Sequence, residues 1–189
     1  MPGLDTNTLQ QLITDFFNSG GKQSLNDAAR PYEIEELIRA FQNLRTQMGK
    51  LVNGLNETQI NYSPNTDTYS LSEVISHLIS SQGNTYNGFI DAAHSDRPHI
   101  DPIPRGPGAG AEKGLTAKIL QDRLGKATDD LVLVLRETFN PNDERLTQHP
   151  VFGMLSHKGW MLFQLSHDLD HLQQAQTVRR MSGFPRRGL

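Results

Sequence analysis

The stretch QLSHDLDHLQQ, residues 164–174, sets His167 and His171 four residues apart. On a helix that spacing stacks two imidazoles on one face, and imidazole nitrogen is a ligand that zinc, nickel, copper and iron all accept. The pattern invites comparison with the His-Glu-x-x-His helix of zinc proteases, whose Glu is the general base and whose third ligand normally follows further along the chain. Here Asp168 stands in place of the Glu, one methylene shorter, and residues 172–189 contain no His, Asp or Glu. A third ligand must therefore come from upstream, and the protease reading fails.

Trp160, Phe163, His167, His171, Gln174 and Val178 follow one another at steps of three and four, so they share a face. The aromatic residues on it imply that it points inward. Two histidines on such a stripe need partners for their ring nitrogens, because a buried polar group left unsatisfied costs roughly 1–3 kcal/mol. A divalent ion is one such partner; a carboxylate or a backbone carbonyl is the alternative, and would make them ordinary core histidines. Upstream, His94, His99, His149 and His157 fall in loops, the last near a helix start, whereas His77 lies well inside a helical pattern. Metal sites in bundles are assembled from facing helices. His77, His167 and His171 would together offer three neutral nitrogens and leave an open position, as catalytic rather than structural sites do.

Around these candidates, Asp170 lies beside the ligand face and could support an imidazole, whereas Asp168 is turned away and reads as a solvated charge. Gln174 is placed to bind substrate or to satisfy a neighbour. Trp160 is a further candidate for a substrate-binding or ligand-supporting role, although it and Phe163 read more naturally as core.

The elements that must position these groups are helical nearly throughout. A short first helix is expected over Thr6–Asn18, closed by Gly20 and Gly21. Pro31 suits a helix's first turn, and from it Ile34, Leu37, Ile38, Phe41, Leu44, Met48, Leu51 and Leu55 trace a long amphipathic helix. Ser70 and Glu73 form a capping box before Leu71, Val74, Ile75, Leu78 and Ile79. A third long helix covers residues 115–139, and the last runs from about Ser156 to Met181. Residues 94–114 hold four prolines and four glycines, a long loop of a kind that is uncommon inside a compact domain. The expectation is an all-α, up-and-down four-helix bundle spanning 1–189 as one domain, with residues 1–30 as an N-terminal extension.

Composition agrees with this and narrows the chemistry. The chain has 189 residues, 21% charged and 35% hydrophobic, enough to bury one core. It contains no cysteine, which removes disulfides, thiolate metal sites and a cysteine nucleophile. A net charge of -3 gives no reason to expect nucleic acid. No apolar run suits a membrane span and MPGLDTNTLQQ has no leader pattern, so a cytoplasmic protein with a small-molecule partner is expected.

Three pieces resemble the DinB/YfiT-like metalloenzyme superfamily, in order and spacing, between Tyr69 and Met181. NYSPNTDTYSLSEVISHLI is similar to that family's second helix, with Tyr69 where Trp is usual and His77 as first ligand. HPVFGMLSHKGWMLFQLSHD is close to the His-Pro turn and Trp-bearing fourth helix of one branch. HDLDHLQQ matches the His-x-x-x-His-Leu-x-Gln signature through His167, His171 and Gln174. The resemblance implies a bundle, often a homodimer, with a three-histidine site for Zn²⁺, Ni²⁺ or a similar ion. It also implies a metal-dependent transferase, using a low-molecular-weight thiol as co-substrate, or a hydrolase. The substrate would be a small electrophile, in stress-response or detoxification metabolism. A non-catalytic metal- or partner-binding bundle is the alternative.

Overall fold

The computed structural model of the protein describes residues 4–19, 24–94, 115–142, 145–149 and 151–186. The elements run α1 (Thr6–Asn18), α2 (Leu25–Ala29), α3 (Ile34–Val52), α4 (Glu57–Ile60), α5 (Leu71–His94), α6 (Ala117–Thr138), β1 (Thr147–His149), β2 (Gly153–Leu155) and α7 (His157–Arg180). The four long helices α3, α5, α6 and α7 form the four-helix bundle. Both α3 and α5 pack against α6 and α7, so the order round the bundle is α3, α6, α5, α7. The links from α3 to α5 and from α6 to α7 therefore join helices on opposite corners.

Local chemistry accounts for the helix ends. Asp5 accepts from Thr8 N at 2.8 Å to start α1, and Thr116 and Ser156 cap α6 and α7. The expected box at α5 is present: Glu73 accepts from Ser70 N at 2.8 Å, and Ser70 Oγ accepts from Glu73 N at 3.3 Å. At α3, by contrast, Pro31 lies in the preceding turn. Glu33 is the cap, in a reciprocal box with Glu36, and Leu55 falls beyond the helix end. The expected apolar line then faces the core, with Leu37, Ile38, Phe41, Leu44 and Met48 buried.

Two features had no clear periodic signal. The helix α2 has only five residues, and the link before α7 contains an antiparallel pair, Thr147 opposite Leu155 and His149 opposite Gly153. Both serve to seat α7. Asn26 of α2 accepts from Ser156 N at 2.9 Å and donates to Met154 O at 2.9 Å. A Cβ at Gly159 would stand 2.2 Å from Asn26 Oδ1, so the missing side chain is what lets α2 reach the first turn of α7. Gly20 and Gly21, His99 and nearly all of the long Pro/Gly loop lie outside the described residues; His94 is the last residue of α5.

Candidate metal centre

His77 comes from α5, and His167 and His171 come from adjacent turns of α7. Folding brings the three rings to one point. His167 Nε2 lies 3.1 Å from His77 Nε2 and 3.2 Å from His171 Nε2. With zinc–nitrogen bonds of about 2.0–2.1 Å, the edge of a tetrahedron is about 3.3 Å, so this spacing fits three ligands of one ion. Among the described residues, these three form a group that could hold a metal ion.

Burial keeps the rings in the ligating state. Desolvation lowers the pKa of His77 to about 4 and that of His167 to about 2, and neighbouring imidazoles lower each further, His171 acting on His77 and both other rings on His167. His171 is lowered by burial too, with Asp170 and Gln174 acting in the opposite direction. All three are thus neutral at pH 7, with a lone pair available on each ring.

The second of the two α7 histidines has its tautomer set by a short relay. Gln174 Nε2 donates to Asp170 Oδ2 at 2.6 Å, which orients its carbonyl Oε1 towards His171 Nδ1, 3.1 Å away. An acceptor there requires the proton on Nδ1, leaving the Nε2 lone pair directed at the other two rings. Asp170 hydrogen-bonds to Gln174 rather than to an imidazole, and reaches His171 only through its charge. The Tyr69 ring closes another side, with its centroid 5.8 Å from His77 and 5.9 Å from His171. Phe163 stacks on His167 at 6.0 Å, so it is a wall of the site as well as part of the core.

Asp168 is placed differently from expectation, whereas Trp160 takes the core position and not the role in the site. Asp168 is not solvated: it is 2% exposed, paired with Arg45 of α3 through Nε to Oδ2 and, at 3.1 Å, Nη2 to Oδ1. It also accepts from Gln164 Nε2 at 2.7 Å, and Gln164 Oε1 accepts in turn from Thr85 Oγ1 at 2.7 Å. Turning away from the ligand face pointed Asp168 at another helix instead of at water. Trp160 is core and not in the site. Its indole N–H donates to Thr147 Oγ1 at 2.6 Å and its ring rests on His149 at 4.9 Å.

His149 and His157 are also apart from the triad. His157 opens α7 and stacks on Phe89. His149 Nδ1 accepts from Val151 N at 3.0 Å and Phe152 N at 3.1 Å, holding the hairpin turn. A proton on that nitrogen would face two N–H donors, and burial lowers the pKa of His149 to about 4. A histidine whose folded pKa lies below its unfolded value of about 6.5 stabilises the fold above that value, and the stabilisation is lost as pH falls through the folded pKa. Denaturant titrations of the metal-free protein are therefore expected to show stability dropping between pH 6.5 and 4. The drop should be shallower in His149→Gln, and a flat profile would contradict the burial described.

Cavities flank the triad on two sides. One of about 520 Å³ lies between α1 and α7 and reaches His167. Another of about 500 Å³ is lined by Tyr69 and Gln174, and Asp170 and Gln173 contribute to both.

The solved structure of YfiT from Bacillus subtilis, described as a probable metal-dependent hydrolase with an unusual four-helix bundle topology, is similar in fold. It superposes with a TM-score of 0.64 at 15% identity, over 82% of this chain and 91% of that one. No curated protein matches the sequence. The family model of the DinB superfamily matches residues 40–175, a span that holds all three histidines and the four bundle helices but for the first turns of α3 and the last of α7. By that match, the chain belongs to the DinB superfamily.

Proposed function

We propose that His77, His167 and His171 bind one divalent ion, zinc or nickel, and that the protein is a metal-dependent hydrolase of a small electrophilic substrate. The observation that carries this reading is the convergence of three neutral Nε2 atoms beside a cavity of small-molecule size. The description of YfiT supports it. When bound, such an ion supplies Lewis acidity and lowers the pKa of water or a thiol at its open position. Gln174 holds His171 in the ligating tautomer, and Asp170 holds Gln174. Tyr69 and Phe163 cover the rings on two sides and restrict water around them.

Thiol-dependent transfer uses the same ligand set, with a low-molecular-weight thiol in place of water, and is separated from hydrolysis by assay. A cytoplasmic homodimer with a role in stress or detoxification accords with the family resemblance. No helix among the described residues is long and apolar enough to cross a membrane.

The test is turnover of an activated ester such as p-nitrophenyl acetate, and of an aryl halide with added thiol. Activity is expected to vanish on chelation and to return with zinc or nickel. A protein that binds the ion but turns over neither would instead be a non-catalytic metal-binding bundle.

A further inference from the structure

The helix α1 lies outside the residues matched by the family model, yet it is tied to the site. Leu9 is buried, Gln47 Nε2 donates to Thr6 Oγ1 at 3.1 Å, and Gln173 of α7 donates to Gln10. These contacts hold α1 alongside the ligand-bearing stretch of α7 and leave the 520 Å³ cavity between them. Its apolar wall comes from Ile13 and Phe17 of α1 on one side, and from Phe152, Phe163 and Leu169 on the other. His167 forms part of the lining, so the cavity runs from the surface to the triad.

Two observations indicate what it takes. Phe17 is 59% exposed, although Phe16 beside it packs on Phe152 at 6.1 Å. A phenyl ring left this open at the rim of an apolar cavity has unburied apolar area to offer a ligand. The charge pattern is the second. Among the described residues lining the cavity, Asp170 is the one that is charged; the polar ones are neutral, and there is no lysine or arginine. In the metal-free protein, an anionic group would meet that carboxylate with no basic side chain among these residues to offset it.

We infer that α1 is the specificity element of this site, and that the substrate carries an uncharged aromatic or branched aliphatic group. That group packs between Phe17 and Phe163 while the reacting end lies at His167. This rests on the triad being the reactive centre, but the cavity can be tested without a metal.

The experiment is a titration of the full chain, as isolated and after chelation, with benzyl alcohol and with benzoate, followed by the Ile13 methyl resonance. Benzyl alcohol is expected to shift that resonance in both preparations, and to bind at least tenfold more tightly than benzoate to the chelated one. Phe17→Ala, at an exposed position, should weaken benzyl alcohol several-fold, and Thr14→Trp should block it by filling the space. Equal binding to all three proteins, no response at Ile13, or a preference for benzoate after chelation would each overturn the inference. Failure of the metal reading alone would leave these results unchanged and would show as a chain that takes up no ion.

Discussion

Asp168→Asn is expected to lower the stability of the metal-free protein by about 3–5 kcal/mol, a large part of what a domain of this size possesses. The side chains of Arg45 and Asp168 are each 2% exposed, so the substitution leaves a guanidinium in the core without its countercharge. Beyond the neutral amide oxygen of the new Asn, Arg45 keeps a 3.4 Å contact from Nη2 to Leu78 O and the face of Phe41, 4.9 Å away. None of these replaces a carboxylate. Arg45→Met should cost a similar amount, because it strands the carboxylate instead. The double variant Arg45→Met/Asp168→Leu should recover most of the loss, since desolvating an ion pair consumes much of its Coulomb attraction. Urea titrations of the four proteins measure all of this. A cost below about 1 kcal/mol for Asp168→Asn would mean that the pair behaves as a surface salt bridge.

The second large effect concerns the ion. His167→Ala is expected to take metal content from about one ion per chain to about none, because it removes one of the three proposed protein ligands, and two imidazoles alone would hold an ion weakly. His167 is also the ring whose Nε2 lies within 3.2 Å of both of the others, so its loss separates the remaining pair. Far-ultraviolet circular dichroism should be unchanged. Gln174→Leu should act more gently, weakening metal affinity about 10–100-fold by freeing the tautomer and orientation of His171. Elemental analysis and competition with a chromogenic chelator give both quantities. Full metal content in His167→Ala would sink the ligand assignment.

Much of this was legible in the sequence because helical periodicity and capping are local. The bounds of α1 agree with the pattern, those of α7 fall within a residue of it, and Ser70 and Glu73 make the box their spacing suggests. The bundle follows from four such helices, as does the possibility of a site built from His77, His167 and His171. What was not legible depends on partners distant in the chain. Asp168 could be assigned to the far side of its helix, but only the packing of α3 against α7 shows that Arg45 waits there. A signal did exist: Arg45 follows Leu44 and precedes Met48 on a buried face, and a charge in that setting needs a countercharge. The roles of Ile13 and Phe17 depend on where α1 docks. The β1–β2 pair is too short to show alternation.

His167 and Asp168 are consecutive, and they leave α7 in different directions, one to His77 on α5 and the other to Arg45 on α3. The helix is thereby keyed like a shaft held at two angles. Turning it about its axis to move the imidazoles would break a buried ion pair, and so would sliding it by a fraction of a turn. Imidazole placement is thus secured by the fold itself, and an arriving ion would not have to organise its own ligands. Empty and loaded forms should share one backbone, and metal exchange should proceed at the rate of ligand release without waiting for a helix to move.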